Sequence, residues 1–97
     1  MHVIRLRAAW RHEGGGVSVR RFNKPTGLEG GERVWLVWDG AVEAVELNGE
    51  PLDVSPTRHD VTERLRLANE LRLTGAAKAT CSTVHLGISP RDASGEY

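Results

Sequence analysis

A periodicity of two, cut at short intervals by turn-forming residues, constrains this chain more than any other feature. Val3-Ile4-Arg5-Leu6-Arg7-Ala8 places Ile4, Leu6 and Ala8 on one face and Arg5 and Arg7 on the other. Strands point successive side chains to opposite faces, so such alternation marks a strand with one buried side. Residues 17–20 alternate too. In 42–47, Val45 and Leu47 point inward and Glu46 outward; in 70–74, Leu71 and Leu73 share a face. In 83–89, Val84, Leu86 and Ile88 share a face, with His85 opposite. Residues 33–38 are apolar on both faces, the pattern of a strand covered on both sides.

Gly14-Gly15-Gly16, Pro25-Thr26-Gly27, Gly30-Gly31, Asp39-Gly40, Asn48-Gly49 and Gly75 separate these runs. Asn48-Gly49 is the sharpest signal, because both residues tolerate the positive φ of a two-residue hairpin turn. Gly14-Gly15-Gly16 has no Lys-Ser/Thr after it and reads as a flexible connection, which excludes a phosphate loop. Asp60-Val61-Thr62-Glu63-Arg64-Leu65 breaks the alternation. Asp60 and Glu63 stand at capping-box spacing, with Thr62 a second cap candidate, and predict one short 3₁₀ turn. Short strands with turns at this spacing predict an antiparallel β-sandwich of about seven or eight strands, one domain over 1–97. The polar end from Pro90 onward is expected to fray.

Composition narrows the function classes. The 97 residues carry 13 basic and 13 acidic side chains, for no formal net charge. A balanced chain can still carry one basic face, but nucleic acids need a clustered basic surface and no run of like charge exceeds two residues, so no nucleic-acid partner is expected. Arginine outnumbers lysine eleven to two. Its fork suits carboxylates and planar ligands, though genome composition explains the bias equally well. The single cysteine, Cys81, excludes an internal disulfide and a multi-thiolate zinc site. Neither a signal peptide nor a membrane span is legible, so a cytoplasmic location without membrane association is expected.

The order of certain motifs carries a family resemblance. Arg21-Phe22-Asn23-Lys24-Pro25 precedes Gly31-Glu32-Arg33-Val34-Trp35-Leu36-Val37-Trp38-Asp39-Gly40. Val45-Glu46-Leu47-Asn48-Gly49, Asp60-Val61-Thr62 and Asn69-Glu70-Leu71 follow. This series, over residues 17–74, resembles the sugar-binding domain of family 2 glycosidases, a jelly-roll of the galactose-binding-like superfamily. The resemblance implies that fold, a glycosidase accessory role and carbohydrate as the ligand class. It also implies that Arg21 and Asn23 help hold the fold together. The family's catalytic carboxylates lie in a separate barrel domain, which 97 residues cannot hold. No enzymatic activity and no cofactor are therefore expected.

The chemistry-bearing residues have plain structural readings. Asp39 with Glu43 and Asp53 with Asp60 are candidate acid pairs for glycoside hydrolysis, but thirteen acids on a small surface make such pairs by chance. His59 beside Asp60 is a candidate acid–base dyad for a small hydrolase, against which Asp60 reads as a cap. Cys81 and His85 lack further metal ligands and read as structural. Trp38 shares its face with Val34 and Leu36 and reads as core; Trp35 covers the other face. Trp10, at a strand end, is expected to be the exposed tryptophan. Sugars stack on bare aromatic faces, so Trp10, Arg58 and His59 are the candidate carbohydrate-binding residues, placed in loops or at strand ends. The competing reading is an interaction domain, in which 34–38 meets a protein partner or a second copy in a homodimer.

Overall fold

The computed structural model describes residues 2–6 and 9–90. Arg7 and Ala8, assigned above to strand faces, and the polar end from 91 onward lie outside them. The described residues form nine strands in two antiparallel sheets. The strands are β1 (His2–Arg5), β2 (Arg11–Glu13), β3 (Val17–Asn23), β4 (Arg33–Val37) and β5 (Ala44–Leu47). They continue as β6 (Glu50–Leu52), β7 (Arg58–Asp60), β8 (Ala68–Thr74) and β9 (His85–Ser89). One sheet runs β1-β9-β4-β7 and the other β2-β3-β8-β5-β6. The antiparallel sandwich is thus the architecture, with nine strands in place of seven or eight. The extra ones are three-residue strands, too short for a period to register.

Residues directly opposite in an antiparallel pair share a face. Leu36 stands opposite Leu86 on β9, and Leu71 opposite Leu47 on β5. All four are buried and belong to one core between the sheets. Trp38 joins them, as its shared face with Val34 and Leu36 required. Burying a leucine of this kind contributes about 1.5–3 kcal/mol. Cys81 is a buried thiol inside the same core. It closes α1 (Lys78–Cys81), a single helical turn that no periodicity of the sequence announces.

The turns follow their residues. Asn48 (φ 54°) and Gly49 (φ 82°) join β5 to β6 as the two-residue hairpin turn. Gly14-Gly15-Gly16 is a tight three-residue turn closing the β2–β3 hairpin, where a flexible connection was expected. Gly15 and Gly16 both take φ of 77°, which side chains rarely adopt.

β3 departs from its apparent pattern. Ser18, Arg20 and Phe22 stand opposite Leu73, Leu71 and Asn69, on the inner face. Val19 lies on the outer face, yet it is buried. Its cross-strand neighbours are Arg11 and Arg72, both held by Glu13. Their aliphatic stems cover the valine while the heads stay in water.

Candidate functional site

The inner-face position of Arg20 creates the most distinctive feature of the molecule. A cleft of about 870 Å³ opens between the sheets beside it, within the range of small-molecule sites. Ile4, Leu6 and Leu86 line it from the first sheet and Phe22 from the second. Four arginines also line it, Arg5, Arg20, Arg21 and Arg66, against the single carboxylate of Glu70. One Arg20 amine donates to the Arg21 carbonyl. The Arg20 Nε is buried and has no hydrogen-bond partner among the described residues, a costly state for a guanidinium nitrogen.

Asparagines brace the end of the cleft. Buried Asn69 accepts from the Arg66 N–H at 2.8 Å and donates to the Arg66 carbonyl at 2.8 Å. Asn48 donates to the Asn69 side chain at 3.0 Å and accepts from the Glu70 N–H at 2.9 Å. The Asn-Gly turn and the Asn69-Glu70-Leu71 motif are therefore one network, which fixes Arg66 and β8 relative to each other. Arg21 is 73% exposed on its side chain, with Glu70 3.4 Å away. It sits at the rim of the cleft, and neither it nor Asn23 is built into the core.

The residues singled out from sequence fall in two places. Trp10 precedes β2, half-buried against the core, and its indole N–H donates to the Leu6 carbonyl at 2.6 Å. The expectation of an exposed Trp10 thus gives way to a packed one, because the indole lies against the core and its N–H is taken by a backbone carbonyl. Trp10 still adjoins the cleft through Leu6. Arg58 and His59 lie on β7, the opposite edge of the first sheet from β1. Arg58 sits over the Trp35 ring at 6.0 Å, a cation–π contact. The His59 ring stacks on Trp38 with centroids 5.7 Å apart. Its Nε2 donates to the Asp53 carbonyl at 2.7 Å.

His59 and Asp60 form no dyad. As neighbours on a strand they face opposite ways, His59 beside Leu36 and Asp60 beside Trp35. Asp60 instead clamps the 3₁₀ turn at Thr62–Arg64. It accepts from the Thr62 N–H at 3.1 Å, from the Thr62 hydroxyl at 2.6 Å and from Arg33 Nε at 2.8 Å. The Arg33 amines reach both Glu63 oxygens, at 2.8 and 2.7 Å. Partial burial pushes the Asp60 carboxyl up, but the hydrogen bonds from Arg33 and Thr62 outweigh it and hold it below its usual value. The hydrogen bonds from Arg33 likewise lower Glu63, and both carboxylates raise Arg33. Glu63 thus pairs with β4 in place of the capping-box role its spacing suggested.

Among the described residues, no group of three or more His, Cys, Asp or Glu could hold a metal ion. No described helix is long and apolar enough to cross a membrane.

No known family matches the chain, and no curated protein matches it either. Among solved structures it is similar to the crystal structure of an FMN-binding beta-glucuronidase from Facaelibacterium prausnitzii L2-6. The TM-score is 0.64 at 21% identity, over 92% of this chain and 22% of that one. The likeness shows the fold: a sandwich of this kind is built into a glycosidase chain, of which it spans about a fifth. Arg20 and Arg66 were not among the residues singled out. An arginine at a period-two position reads as solvent-facing, and only the β3–β8 register turns it inward.

Proposed function

We propose that this chain is a non-catalytic carbohydrate-binding module and that the inter-sheet cleft is its site. The observation that carries this reading is the pairing of an apolar lining with a rim of arginine and asparagine groups in one cleft. A sugar has an apolar C–H face and a polar edge, and such a cleft meets both. The resemblance to a glycosidase accessory domain, and the fold shared with part of a glycosidase chain, support carbohydrate as the ligand class. A lone buried thiol, Cys81, suits a reducing cytoplasmic setting.

The alternative, a protein-interaction face on β4, has less behind it. Trp35 and Val37 do lie on the outer face of the sheet. Arg58 already covers the Trp35 ring, and Ser89 accepts its indole N–H at 3.1 Å. The face is furnished by the chain's own side chains.

A titration of the ¹⁵N-labelled chain with neutral and acidic mono- and oligosaccharides tests the proposal. Saturable amide shifts at 20–23, 48–49 and 66–70 are expected, with a change in Trp10 fluorescence that Trp10→Ala removes. A flat response across the panel sinks the carbohydrate reading. Shifts confined to 58–59 move the site to Arg58 and His59.

A further inference from the structure

We propose that the cleft contains an oxyanion subsite built on Arg20 and Arg66, so that the carbohydrate it takes carries a negative charge. The inference deepens the reading above and rests on it.

The way the chain distributes its ion pairs supports it. Arg11, Arg21, Arg33, Arg64 and Arg72 each have a carboxylate within 4 Å. Among the described residues, Arg5, Arg20, Arg58 and Arg66 have none. Three of these four line the one cleft, and the fourth, Arg58, lies over Trp35. The cleft's single carboxylate, Glu70, is divided between Arg21 at 3.4 Å and Arg72 at 3.6 Å. Among the described residues, a chain with no formal net charge therefore gathers three arginines without a carboxylate in this place.

Arg20 sharpens the point. A guanidinium has five N–H donors and cannot shed its charge. The Arg20 Nε lies buried without a partner, on a face whose neighbours are Phe22 and Leu71. Hydroxyls of a neutral sugar would occupy its donors but leave its charge uncompensated. A carboxylate, sulfate or phosphate does both, accepting from the Arg20 amine that the Arg21 carbonyl leaves unoccupied and pairing with the guanidinium charge. The apolar lining lowers the local dielectric and strengthens that pairing.

D-glucuronate and D-glucose differ only in the carboxylate at C6, so the test compares them on the ¹⁵N-labelled chain, with inorganic phosphate as a third ligand. Glucuronate is expected to shift amides at 20–23 and 66–70 and to bind at least tenfold more tightly than glucose. Raising NaCl from about 50 to 500 mM should weaken it severalfold. Arg20→Gln should cost about tenfold in glucuronate affinity. Arg66→Gln, at an exposed position, should cost severalfold. Glucose and glucuronate binding alike, with both variants indifferent, overturns the subsite and leaves the sugar reading standing. Phosphate binding at these amides, with both sugars inert, keeps the subsite and removes the sugar reading. Silence from all three ligands removes both.

Discussion

Arg33 and Arg20 lie on strands of different sheets and meet opposite fates. Arg33 points outward from β4, and its guanidinium is matched donor for acceptor by Asp60 and Glu63. The result is a staple, because the same Asp60 holds Thr62, and Thr62 Oγ1 in turn accepts the Val34 N–H at 2.8 Å. The Val61 N–H donates to the Val34 carbonyl at 2.9 Å, and its side chain is fully buried. Arg33, Asp60, Thr62 and Glu63 thus all have partners within the chain, and folding accounts for them. Arg20 points inward from β3 and, among the described residues, has no carboxylate within 4 Å and leaves a buried nitrogen unmet. Where a structure satisfies a charged group completely, the group stabilises; where it leaves one poised and unsatisfied, a ligand is the natural complement.

The contrast is first tested on the inner face of the second sheet, where Leu71 and Arg20 stand side by side. Leu71→Ala should cost about 2–5 kcal/mol, read as a fall in the urea midpoint, because it opens a cavity in a fully buried row. Asp60→Ala should come next, at about 1–2 kcal/mol, since it removes the acceptor of the Thr62 N–H that starts the turn. Arg20→Met should leave the midpoint unchanged or raise it by up to about 1 kcal/mol. It relieves an unpaired charge while keeping apolar bulk. A loss of more than about 1 kcal/mol in Arg20→Met would break the comparison, by showing that Arg20 is as structural as Arg33.

Legibility in the sequence follows the same division. β5 and β8 were readable because each buries one face, and β9, buried on both, because its large apolar residues keep to one, so alternation is written directly into Val45/Leu47, Leu71/Leu73 and Leu86/Ile88. The Asn48-Gly49 turn was readable because its backbone demands those residues. The turn after Asp60 was readable in position, though Glu63 left the expected cap for Arg33, a partner thirty residues away that no local pattern shows. β2 and β7 were not readable; three residues cannot display a period, and their neighbours define them. β3 was misleading. Val17 and Val19 carry the apolar half of its alternation, yet Ser18, Arg20 and Phe22 take the inner face. The cleft was therefore hidden, since its central residue is recognised only through pairing with β8. Trp10 came nearest to it, through an indole that packs beside Leu6.

The smallest of the expected effects concerns acid. Asp60 and Glu63 both titrate below their usual values of 3.8 and 4.5 in the folded chain. The unfolded chain therefore binds protons first as pH falls, and the native state binds fewer than the unfolded one in that range. Stability from these two groups is fully present above about pH 4.5 and is lost as pH drops through their lowered values. Urea midpoints measured from pH 7 down to pH 2.5 should show an acid limb beginning near pH 4.5. In Arg33→Gln the hydrogen bonds and charge that lower both carboxylates are gone, so part of that limb should flatten. Arg20→Gln, which touches no carboxylate, should leave the limb as steep as in the parent. Equal flattening by both substitutions would mean that the acid response comes from the overall charge of the chain. The distinction between a matched arginine and an unmatched one would then carry no energetic consequence. Flattening by Arg33→Gln alone ties the response to the staple and leaves Arg20 free for a ligand.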